Sequence, residues 1–255
     1  MDVVWAAFAL ATVVLVHIWL YGIRIYGVAM ASHGRPLFNT GHPKIVALTI
    51  DDVPWHFRPF GMTTSIAEIG ALLEQHGCSA TLLVIGSYLK EAPADIVDVL
   101  KRLHRNGTVE YANHGYTNSK HASLSMGALG AELVETERVI RSRILHGERN
   151  AHRHATPFYR PGCGLFHKAM LECAAARGYT TVLGDVYSFD PHIPVPLLHL
   201  IHIMITMRPG GIIILHDRPW TPALLRWLLP LLKWRGYRVE MLSKAMGRSR
   251  AVPAD

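Results

Sequence analysis

The chain repeats one pattern over about 200 residues, and this repetition restricts its fold more than any other feature. Short apolar runs alternate with longer amphipathic stretches. The runs have the length and composition of buried strands, and the stretches between them have the length of helices. Strands that alternate with helices form a parallel sheet, either open or closed into a barrel. We therefore predict an α/β domain.

The boundaries follow from the apolar runs and from the glycines that end the amphipathic stretches. The apolar run at residues 197–207 is too short to cross a membrane, and residues 224–232 are interrupted by charge and proline, so we interpret both as helices packed on the core. The predicted strands are residues 45–50, 80–85, 108–113, 157–159, 179–183, 211–215 and 237–242, and the predicted helices are residues 63–76, 92–105, 125–145, 165–177 and 222–234.

The N-terminal residues 3–21 are apolar except for Thr12 and His17. At about 1.5 Å rise per residue, a helix of this length nearly spans a hydrocarbon core of about 30 Å. Asp2 is the only charge before the run, whereas a cleaved signal peptide usually begins with positive charge. The pattern favours a retained single-pass anchor, and a cleaved signal or a buried helix remain alternatives. We divide the chain into an anchor (1–25), a linker (26–43), a main folded domain (44–244) and a tail (245–255).

Composition excludes several classes of protein. Half of the residues are hydrophobic, which argues against a disordered chain. The net charge is +7, but lysines and arginines are scattered rather than clustered, so we predict no nucleic-acid partner. The charge fits a membrane-proximal domain and an anionic cell-surface partner equally well. Cys78, Cys163 and Cys173 form no CxxC pair, which supports neither a disulfide framework nor a thiolate zinc site.

Polar side chains follow most of the predicted strands. In parallel α/β folds, the loops beyond the carboxyl ends of the strands converge on one site. Helix caps explain isolated aspartates, but they do not explain an Asp pair, two histidines and an arginine at successive strand ends. We therefore predict one shared active site from these residues: Asp51, Asp52, His114, Arg160, Asp185 or Asp190, and His216.

The residue types indicate metal-assisted hydrolysis. Of two adjacent carboxylates, one can bind a divalent metal while the other contacts the water that the metal activates. His114 adds a ligand and leaves positions open for water and substrate. His216 is placed to act as a general acid, and Arg160 to keep the catalytic carboxylate ionised. Backbone N–H groups of residues 161–164 are candidates for an oxyanion site.

Taken in order, these segments resemble the polysaccharide deacetylase (NodB-homology) family, which includes chitin and peptidoglycan deacetylases. Residues 49–54 (TIDDVP) are similar to its first motif, T-F-D-D-G-P, with Val53 in place of glycine. The resemblance makes Asp51 the general base and Asp52 a metal ligand. Residues 113–118 (NHGYTN) resemble the second motif, H-x-x-x-H, in which His114 matches the first ligand and Asn118 stands where the second histidine is expected.

The remaining motifs follow in the same order. Residues 159–164 (YRPGCG) resemble R-P-P-Y-G, so Arg160 supports the base and the backbone amide at Cys163 stabilises the oxyanion. In residues 186–191 (VYSFDP), Asp190 matches the aspartate that orients the catalytic histidine, with Asp185 as the alternative. Residues 214–217 (ILHD) resemble the fifth motif, in which Leu215 lines the acetyl pocket and His216 is the general acid. The resemblance implies a distorted (β/α) barrel with parallel strands.

The second metal ligand is the main departure from the family pattern. An Asn118 carbonyl oxygen binds a metal more weakly than imidazole does. His121, three residues later, is a possible substitute, although we interpret it as a histidine of a surface loop. Trp55 and Trp220 each follow a motif and are candidates for stacking on sugar rings or for packing at the rim.

The resemblance implies a metal-dependent deacetylase, with zinc or cobalt, that removes acetyl groups from N-acetylglucosamine units of a chitin-like or peptidoglycan-like polymer. The alternative is a catalytically weak or inactive glycan-binding protein on the same barrel. The sequence places either one at a membrane. Arg24, Arg35 and Lys44 predict that the domain lies on the cytoplasmic side, whereas a polymer outside the cell predicts the opposite.

Overall fold

The computed structural model describes Thr12 and residues 36–57, 61–145 and 157–247. The predicted anchor, apart from Thr12, lies outside the described residues, as does most of the predicted tail. Within the described ranges, no helix is both long and apolar enough to cross a membrane. The chain divides into two units, Met1–Pro36 and Leu37–Asp255, and the fold below is that of the second.

A parallel sheet forms the centre of this unit. The strands are β1 (Ile45–Val53), β2 (His56–Phe57), β3 (Gly61–Met62), β4 (Ala80–Val84), β5 (Val109–Asn113), β6 (Phe158–Tyr159), β7 (Thr180–Thr181), β8 (Val186–Tyr187), β9 (Ile212–His216) and β10 (Arg238–Glu240). Within the sheet they follow the order β7-β6-β5-β4-β1-β9-β8, and β10 pairs with the N-terminal part of β1. A separate antiparallel hairpin is formed by β2 and β3.

Eight helices connect the strands in the described part of the chain. Two single 3₁₀ turns, His121–Ser123 and Gly162–Gly164, lie in the loops after β5 and β6. The helices are α1 (Ile66–Gln75), α2 (Gly86–Glu91), α3 (Ala94–Arg105), α4 (Met126–Arg143), α5 (Lys168–Ala175), α6 (Pro196–Thr206), α7 (Thr221–Trp234) and α8 (Leu242–Ala245).

Strand β1 determines which residues face the interior of the barrel. All nine of its residues are buried, as expected for a parallel strand covered on both faces. Val46, Leu48 and Ile50 belong to the large apolar cluster that contains the buried residues of α1, α3 and α7. Ala47 belongs to a second cluster, built from inward residues of the neighbouring strands. Because side chains alternate along a strand, Asp51 continues the inward face.

The sheet curls, and a short N-terminal segment joins its two sides. Leu37 forms a bridge with Val182, just after β7, and Asn39 forms a bridge with Gly211, just before β9. The Asn39 amide also donates to Asp185 Oδ2 at 2.8 Å. The predicted barrel is therefore confirmed as a curled parallel sheet that is irregular on the side closed by this segment.

Most predicted elements are present with shifted ends, and the start of one helix was predicted wrongly. The predicted helix at residues 92–105 begins only at Ala94, and a separate short helix, α2, precedes it. Helix α6 exists where residues 197–207 predicted a core-packing helix, and one of its faces packs on the large apolar cluster through Ile203. Its buried residues are His199 and Ile203, whereas Leu197 and Ile205 are 62% and 77% exposed.

Candidate active site

Asp51 and Asp52 lie at the carboxyl end of β1, where the strand becomes irregular. The pairing register between β1 and β4 shifts between Ile50 and Val53, and Asp52 has a φ of 64°. Aspartate is one of the few non-glycine residues that adopts this left-handed conformation. As a result, both carboxylates reach one histidine. His114 Nε2 lies 3.9 Å from Asp51 Oδ2 and 3.5 Å from Asp52 Oδ1.

Val53 stands where the family motif has glycine, and the backbone accommodates it. It is not among the residues with positive φ, so this position does not require glycine. Its side chain is fully buried in the large apolar cluster. The replacement therefore fills core space without disturbing the Asp pair.

Arg160 holds Asp51. Its guanidinium Nη1 contacts Asp51 Oδ1 and donates to Thr49 Oγ1 at 2.9 Å, and its Nε donates to the Val182 carbonyl at 3.3 Å. Thr49 and Asp51 share the inward face of β1, which explains why one arginine reaches both. Arg160 is 2% exposed, so water screens this ion pair little. Asp51 is thereby held in one orientation beside a positive charge.

His114 presents its Nε2 atom to the two aspartates. Its Nδ1 lies 2.8 Å from the Arg160 carbonyl oxygen. A carbonyl only accepts, so Nδ1 carries a proton and a neutral His114 has its lone pair on Nε2. Burial lowers the pKa of His114, but the charge of Asp51 and the contacts with Asp52 raise it, and the net change is upward.

The charges around Asp52 act in the same direction. Burial raises the pKa of Asp52, but its hydrogen bond with His114 and the nearby positive charges outweigh burial and hold the pKa well below the usual range. Asp52 is therefore a carboxylate anion throughout the neutral range.

His216 ends β9 next to Asp51. The two residues are direct partners in the pairing of β1 with β9. His216 Nδ1 lies 3.0 Å from Asp190 Oδ1, and the His216 backbone N–H donates to Asp190 Oδ2 at 2.7 Å. Burial lowers the pKa of His216, whereas Asp190 raises it through charge and a hydrogen bond, with a net increase. His216 is thus favoured in its protonated form.

Asp190, rather than Asp185, is the aspartate beside the histidine. Asp190 is fully buried, and the Trp220 indole N–H donates to its backbone carbonyl at 2.9 Å. Asp185 instead accepts hydrogen bonds from Asn39, Arg208 and the Ile212 backbone. Asp185 therefore stabilises the closure of the barrel, and Trp220 fixes the loop that carries Asp190.

Cys163 and Leu215 occupy different environments. Cys163 lies in the 3₁₀ turn after Arg160, has a φ of 60° and exposes its side chain to solvent. Leu215 is fully buried and belongs to the apolar cluster between the sheet and the helices. The oxyanion role of the Cys163 amide and the acetyl-pocket role of Leu215 stay predictions.

Asn118 lies at the rim of the site. It is exposed, and its amide donates to the Tyr88 hydroxyl at 3.1 Å. Tyr88 packs edge-on against Trp55. Among the described residues, this hydrogen bond is the one polar contact found for Asn118. Its role as a metal ligand stays a prediction.

The interpretation of His121 as a surface histidine was wrong. Its ring is fully buried and stacks on Tyr159. Gly162 N donates to His121 Nδ1 at 3.0 Å, so the proton of the neutral ring is on Nε2. A Cβ atom at Gly115 would clash with Nε2. Burial lowers the pKa of His121 to about 4. A protonated Nε2 under Gly115 does not provide a metal ligand.

Arg218 was missed by the sequence reasoning. Its Nη2 donates to Asp52 Oδ2 at 2.6 Å and its Nη1 to the Asp217 carbonyl at 3.0 Å. The guanidinium carbon lies 3.4 Å from the centre of the Trp55 ring. The only sequence signal was its position two residues after His216, because nothing in the residue types indicates that the loop turns back to Asp52.

Asp217, also unassigned from the sequence, holds the loops around the site. It is fully buried and accepts hydrogen bonds from Trp55 N and Ser65 N, both at 2.8 Å, and from the Thr64 hydroxyl. Burial raises its pKa, which these hydrogen bonds only partly offset. Asp217 therefore joins the loop after β9 to the start of α1.

The Asp52–His114 pair fits two ligands of a divalent metal. Ligand atoms about 2.0–2.2 Å from a tetrahedral zinc ion lie roughly 3.3–3.6 Å from each other. The 3.5 Å between Asp52 Oδ1 and His114 Nε2 agrees with such an edge, and the Arg160 carbonyl fixes the His114 tautomer that ligation requires. The described residues contain no cluster of three His, Cys, Asp or Glu side chains that would complete the site.

The comparisons with known proteins agree with the motifs. The family model for polysaccharide deacetylase matches residues 38–182. The chain belongs to the polysaccharide deacetylase family. This assignment confirms the resemblance and places the chain in a family of hydrolases that act on carbon–nitrogen bonds other than peptide bonds.

Two relatives have named activities. The chain is 29% identical to a peptidoglycan-N-acetylglucosamine deacetylase of Bacillus cereus, over 80% of this chain and 88% of the relative. It is 28% identical to a chitooligosaccharide deacetylase of Sinorhizobium fredii, over 81% and 94%. It is also 24% identical to the uncharacterized protein YlxY of Bacillus subtilis, but the match spans only 62% of that longer protein.

A solved structure also has the same fold. A CE4 family pseudoenzyme from Bacillus anthracis superimposes with a TM-score of 0.70 at 24% identity, covering 84% of this chain and 70% of the other. Its fold agrees with the curled parallel barrel described above. Membership of the fold is therefore compatible with both active and inactive proteins.

Proposed function

We propose that this chain is an N-deacetylase that removes the acetyl group from N-acetylglucosamine units of a chitooligosaccharide-like or peptidoglycan-like glycan. One observation carries the proposal: Asp51 and His216 are direct partners on adjacent strands, each held by its own charged residue. Neighbouring strands lie about 4.8 Å apart, so a base and an acid stand side by side at one end of the barrel.

Amide hydrolysis needs both groups. Asp51 accepts a proton from the attacking water, and the Arg160 guanidinium beside it holds that carboxylate in place. As the C–N bond breaks, His216 gives a proton to the departing amine, so the products are acetate and a free glucosamine amine. Asp190 favours the protonated imidazole that this transfer requires.

The residues that would hold a metal are Asp52 and His114, with Asn118 as the predicted third ligand. A divalent ion there, zinc or cobalt, would supply Lewis-acid activation of water and of the acetyl carbonyl. The contribution of the chain itself is to hold Asp52 as an anion and to keep the His114 Nε2 atom directed at it.

The glycan class rests on the relatives. Those named act on peptidoglycan N-acetylglucosamine and on chitooligosaccharides, and both substrates contain the same N-acetylglucosamine unit. Trp55 and Trp220, the predicted sugar-stacking residues, are each tied to the site, Trp55 under Arg218 and Trp220 to Asp190. For both rings, these contacts favour packing at the rim of the site over stacking on a sugar ring.

Acetate and amine release from chitin oligosaccharides and from peptidoglycan fragments tests the proposal. The full-length chain is compared with Asp51→Asn and with Asp98→Asn, a matched change at an exposed aspartate. Release by the unaltered chain and by Asp98→Asn, lost in Asp51→Asn, is expected. Equal release by all three proteins would contradict Asp51 as the base.

A second candidate is an inactive glycan-binding protein on the same barrel. Two observations favour it: Arg218 binds Asp52, and the histidine expected at position 118 is asparagine. Oligosaccharide binding without acetate release, with any added metal, would select this candidate over the deacetylase.

We also propose that the chain is attached to a membrane through residues 3–21, with the side of the membrane left open. The support is the length and the apolar character of this segment in the sequence. Washing membranes with alkaline carbonate tests it, because a spanning anchor stays with the bilayer. Release of the intact chain into the soluble fraction would contradict attachment by a span.

A further inference from the structure

Arg218 forms a buried ion pair with the predicted metal ligand Asp52. Arg218 is 6% exposed and Asp52 is equally buried. The guanidinium is fixed on three sides, by Asp52 Oδ2, by the Asp217 carbonyl and by the Trp55 ring. A planar arginine stacked on an aromatic ring loses little further freedom when it binds a carboxylate. This arginine is therefore a built part of the site rather than a surface side chain in passing contact.

Arg218 changes the charge that a metal ion would meet. Metal sites usually attract a divalent cation with uncompensated negative charge. Here Asp51 is already paired with Arg160, and Asp52 with Arg218. Two carboxylates and two guanidinium groups sum to zero net charge, and Asp190 and His216 form a further internal pair.

The position of Arg218 also affects the ligand oxygens. Asp52 directs Oδ1 toward His114 and Oδ2 toward Arg218. A metal held by Oδ1 and His114 would share its carboxylate with a positive charge. Positive charges on one buried carboxylate repel each other strongly, because little water screens them.

We propose that Arg218 is a tethered cation that occupies the metal-binding carboxylate and competes with a divalent metal for it. Arg218 thus supplies part of the positive charge that a metal ion bound at Asp52 would supply. The site binds metal weakly as long as Arg218 is present. The proposal uses the Asp52–His114 pair of the proposed function, but its test reads metal affinity and not acetate release.

Calorimetric titration of the full-length chain, purified in detergent and free of metal, with zinc and with cobalt tests the proposal. Arg218→Met removes the charge and keeps an apolar side chain against Trp55. Arg218→Lys keeps the charge. Arg226→Met removes the same charge from an exposed arginine paired with Glu68, and Asp52→Asn reports any binding outside the site.

Arg218→Met is expected to bind metal at least about tenfold more tightly than the unaltered chain, because one repelling charge is gone. Arg218→Lys and Arg226→Met should stay close to the unaltered chain, and Asp52→Asn should lose the site. Unchanged metal affinity in Arg218→Met would show that a metal ion displaces Arg218 from Asp52 at no cost in free energy. Weaker affinity would show that it positions the ligand. Either result overturns the competition.

Misfolding of Arg218→Met is separated from these outcomes by the lysine variant. If Arg218→Met unfolds, Arg218→Gln is titrated in its place, and circular dichroism establishes that each variant is folded. Failure of the proposed function has a different signature, because acetate release is then absent even in a variant that binds metal tightly.

Discussion

The two aspartates at the end of β1 are neighbours in sequence, but the family motifs account for all the partners of only one of them. Asp51 has the partners that the family motifs imply, Arg160 and His216. Asp52 has one such partner, His114, and one that no motif implies, Arg218. The half of the site proposed to move protons keeps the family pattern, whereas the half proposed to bind a cation has changed. The two halves can therefore be altered separately.

The largest expected effect is on the Asp51 half. Asp51→Asn removes the proposed base, and a positioned base typically contributes about 10² to 10⁴ in rate. We expect a fall of that size in kcat for acetate release with the affinity for oligosaccharide retained. Steady-state kinetics together with a binding measurement checks this. A loss of less than tenfold would mean that Asp51 is not the base.

The next prediction concerns the free energy of unfolding. It compares Arg160, in a buried ion pair, with Arg102, in an exposed one. Arg160→Met leaves Asp51 buried beside His114 without its guanidinium, and breaking a buried ion pair in this way costs about 3–5 kcal/mol. Chemical denaturation of the variant measures the change. Arg102→Met, at an exposed pair with Glu74, is the control and should cost no more than about 1 kcal/mol. Similar losses for both variants would contradict the structural role of the Arg160 pair.

Substitutions at position 118 test the half of the site proposed to bind a cation. Asn118→His restores the histidine of the family motif and is expected to raise zinc affinity roughly tenfold or more, because imidazole is the better zinc ligand. Asn118→Ala removes the proposed carbonyl ligand and is expected to lower the affinity, whereas unchanged affinity would show that Asn118 only contacts Tyr88. Both are measured by metal titration. A clear loss in the alanine variant would establish Asn118 as a ligand.

A pH profile tests the acid of the Asp51 half. Asp190 raises the pKa of His216, so His216 stays protonated to higher pH than an ordinary histidine. If the protonated form is the active one, the activity falls as the pH rises through this pKa. Asp190→Asn removes the charge, and the alkaline limb of the profile is expected to move to lower pH. If the alkaline limb does not move in Asp190→Asn, the limb reports a group other than His216.

The smallest expected effect lies outside both halves, at His121. Its pKa is lowered to about 4, so below the ordinary histidine pKa of about 6.5 the unfolded chain takes up a proton that the folded chain does not. His121 therefore makes stability fall between about pH 6.5 and 4. Denaturation of the unaltered chain and of His121→Asn at pH 7 and pH 5 checks this, and the variant should lose less stability. Equal losses would show that His121 titrates normally.

The sequence was sufficient for features that depend on periodicity. The buried run of β1 and the polar residues that follow the strands could be predicted, since parallel strands end at one edge and their side chains alternate. Asp51, His114 and His216 were found in this way. The family motifs added the choice of Asp190 as the partner of His216.

Features that depend on how a loop turns were beyond this reasoning. His121 lies in a polar stretch, yet a single 3₁₀ turn places its ring under Gly115 and against Tyr159. Arg218 follows a strand-end motif, but only the folded loop brings its guanidinium to Asp52. The exposed face of α6 was missed for another reason: apolar periodicity does not reveal which helix faces lack a neighbour.

The closing segment at residues 37–40 sets a limit on how the protein can be shortened. Leu37 and Asn39 bridge the two sides of the sheet, and the Thr40 N–H donates to the Gly210 carbonyl at 2.8 Å. A shortened form that begins at residue 44, where the main folded domain was predicted to begin, would lack these bonds and leave Asp185 without its Asn39 partner. Expression of the domain alone therefore calls for a start site at or before Pro36.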